Sequence, residues 1–494
     1  MRTLELSEEF DREWRMLVDG SLVPASDGGT LSVRNPATGG VFTDAPDGTA
    51  EDVDTAVAGA NRAADSLAEM TPRERGDLLH GLVDVLEAHA TELAELEVVE
   101  NGKPISQARG DVNSAIERVR YYAGGADKFL GDAVLDSSKE IQRKIFEPLG
   151  VVGIIIPWNW PLVNSIDFAA IAIATGNAAV IKAAPETPLS ALRAGELFAE
   201  HLPDGSFNVI SGRDEAGVAL VEHPDVDKIA FVGNDKTGEI ILRSLADSLT
   251  PAMMELGGKN AAVVFPDADL DRAVDGVVCS SFKNNGEACS GSERLLVHED
   301  IYDDFIPQVS AKVEAISVGE GTDEDTQVGP LISERHRDMV ASKIDAALED
   351  GATLLAQAEL PDEDSLEGGY WFPPTLLGNV DADSDIMQEE VFGPVLGVMP
   401  FGDESEALEL INDTEYGLST YIWTSNLQRA HRLAVEVEVG KVSINNPSGG
   451  RLGVPHGGQK RTGFGRKNDF AETMREFTQA KGILIDLTDS DLSL

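Results

Sequence analysis

From Val151 onward the chain repeats one pattern, a short β-rich apolar run followed by a helical one. "VVGIII" precedes "VNSIDFAAIAIAT", "AAVIKA" precedes "PLSALRAGELFAEHL", "FNVIS" precedes "EAGVALVEH", and "KIAFVG" precedes "KTGEIILRSLAD". Repeated βα units need right-handed crossovers, which make the strands parallel and set helices on both faces of the sheet. The expected fold is therefore α/β, beginning with a doubly wound nucleotide-binding domain. After "MMELGGKN" a second alternation ("AAVVF", "LDRAVDGVVCSSF", "RLLVHE", "IYDDFIPQVSAKVEAI") predicts a second α/β domain. Residues 51–128 read as helices, with Thr71 and Pro72 as N-cap and first helical residue of one of them. "KEIQRKIFEP" and "KGILIDL" read as strands outside both cores, and "QAELPDEDSLEGGY" as an acidic surface excursion.

Composition narrows the classes of function. The 494 residues carry 39 Lys+Arg against 87 Asp+Glu, a formal net charge of −48, which excludes nucleic-acid binding through phosphates. The acids are spread along the chain rather than gathered in a tail, so the expectation is a solvated acidic surface. Its self-repulsion is screened at high ionic strength, pointing to a host with a molar-salt cytoplasm. The N-terminal "MRTLELSEEFDREWR" lacks an apolar h-region. The most apolar stretch, from Phe168, is broken by Thr175, Gly176 and Asn177, short of the roughly 18 residues of a membrane span. Two cysteines cannot make a disulfide framework, and no paired Cys/His spacing suggests zinc. The chain reads as cytoplasmic, without membrane contact and without a metal.

One cysteine, Cys279 in "GVVCSSF", reads as packing. The other, Cys289 in "NNGEACSGSER", has polar and small neighbours that would admit a substrate. A cysteine in this setting is either a nucleophile with a lowered pKa or a small buried hydrophobe. Glu255 in "MMELGGKN" is either an ion-paired glutamate or a general base with an environment-raised pKa. Asn159 in "PWNWP" is either a turn residue or an amide donor to an oxyanion. "FVGNDKTG" follows a strand and opens a helix, where phosphate can bind free N–H groups.

Together, "PWNWP" (157–161), "FVGNDKTG" (231–238), "MELGGKN" (254–260), "NGEACSG" (285–291), "EEVFGPV" (389–395) and "PHGGQKRTGFGR" (455–466) resemble the aldehyde dehydrogenase superfamily, in the same order. The resemblance runs from about "RNPATGG" to the C-terminus. It implies NAD(P)-dependent oxidation of an aldehyde to the acid, with Cys289 as nucleophile, Asn159 at the oxyanion and Glu255 activating water. Relatives that pass the acyl group to coenzyme A typically lack this glutamate, so hydrolysis is expected; a coenzyme A-acylating enzyme and a non-catalytic member of the fold are the alternatives. The implied cofactor residues are Ile155, Trp158, Lys182, Pro185, Glu186, Gly233, Asn234, Gly238, Leu256, Glu390 and Phe392. Asn234 stands where a serine is usual. Pro185 stands where NAD-preferring members often carry a glutamate, with Glu186 next; the choice between NAD and NADP stays open, and Arg213 is a candidate phosphate partner beside Lys182. Lys103 and Lys259 read as structural.

Trp160, Asn164, Asp167, Ser290, Ser448 and His456 are implied for the substrate pocket, with Glu287 and Gly450 beside them. Polar or small groups at these points favour a small polar aldehyde or semialdehyde. The implied organisation is a cofactor domain of residues 1–130 and 149–255, a catalytic domain of 256–476, and oligomerisation strands at 131–148 and 477–494 that make a homodimer or homotetramer.

Overall fold

The βα repetition after Val151 builds an eight-stranded sheet in the computed structural model, which describes residue 10, residues 12–361 and residues 367–488. Across the sheet the strands run Ser21–Val23, Met16–Val18, Phe207–Ser211, Ala178–Ala183, Val151–Ile155, Lys228–Val232, Ala252–Glu255 and Gly463–Phe464. The five from Phe207–Ser211 to Ala252–Glu255 are parallel. The first of these in the chain, Val151–Ile155, lies in the middle, and later strands are added on both sides of it. Winding reverses between Val151–Ile155 and Lys228–Val232, the place where open α/β sheets hold ligands beyond the carboxyl ends of their strands. Register sets Ile155 beside Lys182 and Phe231, and Val232 beside Glu255. Residues far apart in sequence thus leave the sheet at one edge.

A second sheet has seven strands: Thr353–Gln357, Thr375–Gly378, Val395–Phe401, Ser292–His298, Asn260–Val264, Ser419–Trp423 and Lys441–Ile444. Only Thr353–Gln357 runs antiparallel. The segments that carry Lys259, Cys289 and Glu390 lead directly into three adjacent parallel strands of this sheet, at their amino ends. The two sheets therefore supply complementary edges to one cleft.

The helix Pro161–Thr175 is buried along its whole length, which accounts for its near-continuous apolar sequence. No helix among the described residues is long and apolar enough to cross a membrane. Residues 50–125 form four helices, and Thr71 accepts from the Glu74 N–H ahead of Pro72, as expected of a capping box. Thr478–Asp486, Glu140–Pro148 and Asp132–Asp136 form a separate antiparallel sheet. In the acidic excursion, Glu359, Leu360, Glu367 and Gly368 are exposed, and residues 362–366 lie outside the described residues.

Two pairings were not expected. The hairpin Met16–Val23 extends the first sheet at one edge. At the other edge Gly463–Phe464 pairs antiparallel with Met254 and Glu255, which brings the "PHGGQKRTGFGR" segment against the glutamate.

Candidate active site

Cys289 is presented by a strained loop. Asn284, Asn285 and Gly286 take successive left-handed conformations, with φ of 55°, 59° and 74°. Such geometry is unfavourable for a residue with a side chain unless its surroundings compensate. Here Asn285 accepts from the Gly329 N–H at 2.7 Å and donates to the Pro330 carbonyl at 3.0 Å, while the Asn284 amide donates to the Glu287 carbonyl at 3.0 Å. A Cβ on Gly286 would lie 2.3 Å from the Gly393 carbonyl carbon, so no larger residue fits there. On the far side the Asn260 amide donates to the carbonyls of Cys289 and Gly291, at 2.7 and 2.8 Å, and the Tyr421 hydroxyl donates to that of Ser290. The thiol is half-buried in the cleft. Burial and the Glu255 carboxylate push it up to about 12.

Glu255 ends the strand Ala252–Glu255 and is itself buried. Its Oε1 lies 2.9 Å from His456 Nε2 and its Oε2 2.8 Å from Lys467 Nζ. His456 and Lys467 are locked together by reciprocal backbone hydrogen bonds of 2.8 and 2.9 Å. Burial alone would raise the carboxyl, but the charges and hydrogen bonds of Lys467 and His456 outweigh it and hold Glu255 well below the usual carboxylate range. The expectation of a raised pKa is corrected: the ion-pair partner sits 212 residues away and is brought in by the chain's return to the sheet edge. A ring nitrogen of His456, an oxygen of Glu255 and the Cys289 sulfur all lie within 4.8 Å of one another.

Asn159, also buried, donates through Nδ2 to the Glu287 carbonyl at 3.0 Å, which leaves its second amide hydrogen uncommitted in the cleft wall. Its own carbonyl accepts from Lys103 Nζ at 3.0 Å, and Lys103 is anchored by Asp111 at 2.7 Å. The buried lysine thereby fixes the asparagine.

The other end of the cleft suits a dinucleotide. Asn234 caps the helix Asp235–Leu245, accepting from the Thr237 N–H at 2.8 Å, and Gly233 and Thr237 line the cleft beside it. Lys182 is buried at the carboxyl end of its strand, and its Nζ makes no hydrogen bond or ion pair among the described residues. Burial lowers its pKa against the opposing pull of Glu186, Asp214 and Asp47. Glu390 accepts from the Gly258 N–H at 2.8 Å, and a Cβ on Gly257 would lie 2.2 Å from its carboxylate. Burial and Glu293 raise its pKa. Glu293, ion-paired with Lys259, accepts from the backbone N–H groups of Val391 and Phe392, both at 2.8 Å. That clamp holds Phe392 at φ 56°, edge-on to Trp158 with ring centroids 5.4 Å apart. A partnerless buried ammonium, a capped helix start and a carboxylate between glycines fit the phosphates and riboses of a nicotinamide dinucleotide.

These groups line a single cleft of about 1140 Å³. It brings together Cys289, Glu255, Asn159, Ile155, Trp158, Lys182, Pro185, Glu186, Gly233, Asn234, Glu390, Phe392, Trp160, Asn164, Ser290, Ser448, Gly450 and His456. Gly238 and Leu256 lie beneath its wall, where a Cβ on the glycine would come within 2.9 Å of the leucine Cδ2. Asp167 is fully buried and bonded to Arg118 at 2.9 Å, so it does not face substrate. Glu287 is likewise buried, accepting from the Ile332 N–H at 2.9 Å, and burial raises its pKa well above the usual value. Arg213 is tied to Asp47 instead of facing the cleft. Cys279 is not packing: on the helix Leu270–Phe282 it continues the exposed stripe of Asp271 and Asp275 and lines the cleft. Lys467, Arg118 and Asp214 were missed. Helical spacing from Gln107 through Asp111 and Ser114 could have flagged Arg118; nothing local distinguishes the other two.

Comparison with known proteins agrees with this geometry. The aldehyde dehydrogenase family model matches residues 23–483, and the chain belongs to that family. A phenylacetaldehyde dehydrogenase from Pseudomonas fluorescens is 39% identical over 484 residues, 95% of each chain. An aldehyde dehydrogenase from Bacillus cereus, solved as its NAD+ complex, superposes with a TM-score of 0.95 at 36% identity, covering 99% of this chain and 100% of that one. A betaine aldehyde dehydrogenase from Staphylococcus aureus, also solved with NAD+, gives 0.95 at 34% identity, covering 99% and 98%. The protein is an NAD(P)-dependent enzyme that oxidises an aldehyde to the carboxylic acid.

Proposed function

We propose that the substrate is a small polar aldehyde or semialdehyde and that release is hydrolytic. The observation that carries this reading is the lining of the cleft around Cys289. Asn164, Ser114, Arg118, Asn446, Ser448 and Asn468 line the cleft and offer a substrate polar partners beside the apolar walls of Trp160, Val163 and Tyr421. In this reading Cys289 attacks the carbonyl carbon as thiolate, and the free amide hydrogen of Asn159 steadies the resulting oxyanion. A bound nicotinamide supplies the hydride acceptor. Trp158 and Phe392 would flank it and Glu390 would hold its ribose. The Glu255 cluster then serves the water that cleaves the thioester, which disfavours transfer to coenzyme A.

NAD is preferred over NADP in the same reading. Glu186 and Asp214 line the cleft beside Lys182, and their charge would repel a 2′-phosphate while leaving ribose hydroxyls with acceptors. The first sheet with its helices serves as cofactor domain, the second as catalytic domain. The three-stranded sheet joins subunits, as its outward Val134 and Leu484 (66% and 75% exposed) suggest. The acidic chain is suited to a salt-rich interior.

A panel of propanal, glycolaldehyde, 4-oxobutanoate and phenylacetaldehyde, each with NAD and NADP at low and high KCl, tests the reading. Higher kcat/KM for the polar aldehydes and for NAD is expected. Preference for phenylacetaldehyde, or for NADP, would overturn the corresponding part.

A further inference from the structure

Arg118, on the helix Ile105–Gly125, stands in the cleft wall with only part of its guanidinium used by the fold. Its Nη1 donates to Asp167 at 2.9 Å and to Asn468 Oδ1 at 2.6 Å. Nε and Nη2 share another edge of the planar group and make no hydrogen bond or ion pair among the described residues; Nε is buried. A buried donor without an acceptor is costly, so this edge calls for a partner that the protein does not supply. It offers donors only, and two parallel N–H groups match a carboxylate. Asp167 is spent on Nη1, which cancels its charge away from the free edge. The edge also lies close to the chemistry. Asn468, which accepts from Arg118, has its Nδ2 3.4 Å from the Cβ position of Gly450, while a Cβ on Gly449 would lie 2.2 Å from Oγ of Ser290, the residue after Cys289. One dipeptide thus separates a neighbour of the thiol from a neighbour of the arginine, a span suited to a short substrate. The same loop carries two further cations. Lys441 donates to the Ser448 carbonyl and is repelled by Arg451, and neither is in an ion pair among the described residues. In a chain where 87 acids outnumber 39 bases, unpaired cations gathered at one end of the cleft favour an anion there.

We propose that the aldehyde carries a carboxylate at its other end, and that the free Nε and Nη2 edge of Arg118 binds this group and so sets the carbonyl carbon at Cys289. Arg118 is then a specificity-determining residue, and the product is a dicarboxylate. The proposal rests on the reading of the substrate as a small polar aldehyde and narrows it to a short oxo acid.

The test compares 4-oxobutanoate with its methyl ester, which keeps the chain and removes the charge, at one fixed KCl concentration with NADH formation as readout. The wild-type enzyme should favour the acid in kcat/KM by about tenfold to a hundredfold, the range of a charge-assisted hydrogen bond. Arg118→Gln combined with Asp167→Asn removes both buried charges together, so that neither is stranded, and should bring the ratio of acid to ester close to one. Arg118→Lys keeps a cation for Asp167 but has no second donor edge; it should lower the ratio about tenfold and serves if the double variant does not fold. A wild-type ratio near or below one would overturn the proposal. So would a ratio within about threefold of wild type in the double variant, or in Arg118→Lys where the double variant does not fold. Glycolaldehyde and butanal are measured alongside. Glycolaldehyde favoured over butanal, with no preference for the acid over its ester, would sink the carboxylate site and leave the polar-aldehyde reading standing; butanal favoured over both glycolaldehyde and 4-oxobutanoate would sink that reading too.

Discussion

At the scale of single residues, Cys289, Glu255 and Asn159 were legible as candidates because the proposed chemistry needs particular side chains in short motifs, and the structure gathers all three in one cleft. Their electrostatics were not, because the partners of Glu255 come from the far end of the chain. The structure makes Glu255 a fixed negative charge beside the thiol, with a calculable consequence. Glu255→Gln removes the charge that raises the pKa of Cys289 and leaves Lys467 to lower it. The thiolate fraction at pH 8 should rise, and iodoacetamide alkylation should quicken about tenfold for each pKa unit recovered. An unchanged or slower rate would show that the carboxylate does not govern the thiol. Asn159→Ala should cost about 3 kcal/mol of transition-state stabilisation, read as a loss of kcat/KM of the order of a hundredfold with cofactor affinity unchanged. Cys279 shows the limit of reading composition alone: its apolar neighbours suggested packing, while its helical phase puts it in the cleft wall.

At the scale of elements, the βα repetition was readable because each run is long enough to show its period. The three-residue strands of the Met16–Val23 hairpin and the two-residue strand Gly463–Phe464 are too short to carry one. Yet Gly463–Phe464 sets much of the site, since it delivers His456 and Lys467 to Glu255. The loop before Val395–Phe401 depends on a device visible only in the fold, the Lys259–Glu293 pair that holds the backbone at Val391 and Phe392. Glu293→Gln strands a buried ammonium and should destabilise the protein by about 3–5 kcal/mol. It should also weaken NADH binding, because Glu390 and Phe392 lose their clamp. Thermal melting and a fluorescence titration check the two effects, and intact NADH affinity would separate the pair from the cofactor site.

At the scale of the whole molecule, composition spoke clearly about surface charge and not about assembly. With 39 basic residues against 87 acidic ones, self-repulsion should make the melting temperature climb as KCl rises from millimolar to molar; a flat or falling curve would contradict a salt-adapted surface. The exposed apolar residues of the three-stranded sheet make assembly testable as well. If this sheet joins subunits as proposed, light scattering should give an oligomer for the wild-type chain and monomers for Val134→Glu with Leu484→Glu; a monomeric wild-type chain would contradict it. At the level of the reaction, one aldehyde is expected to be oxidised and released as a free acid at each turnover. It is tested most directly by quantifying carboxylate and NADH together during multiple turnovers, with and without coenzyme A. One carboxylate per NADH, at a rate indifferent to coenzyme A, is the predicted result; NADH formation that stops after one equivalent per subunit until coenzyme A is added would contradict it.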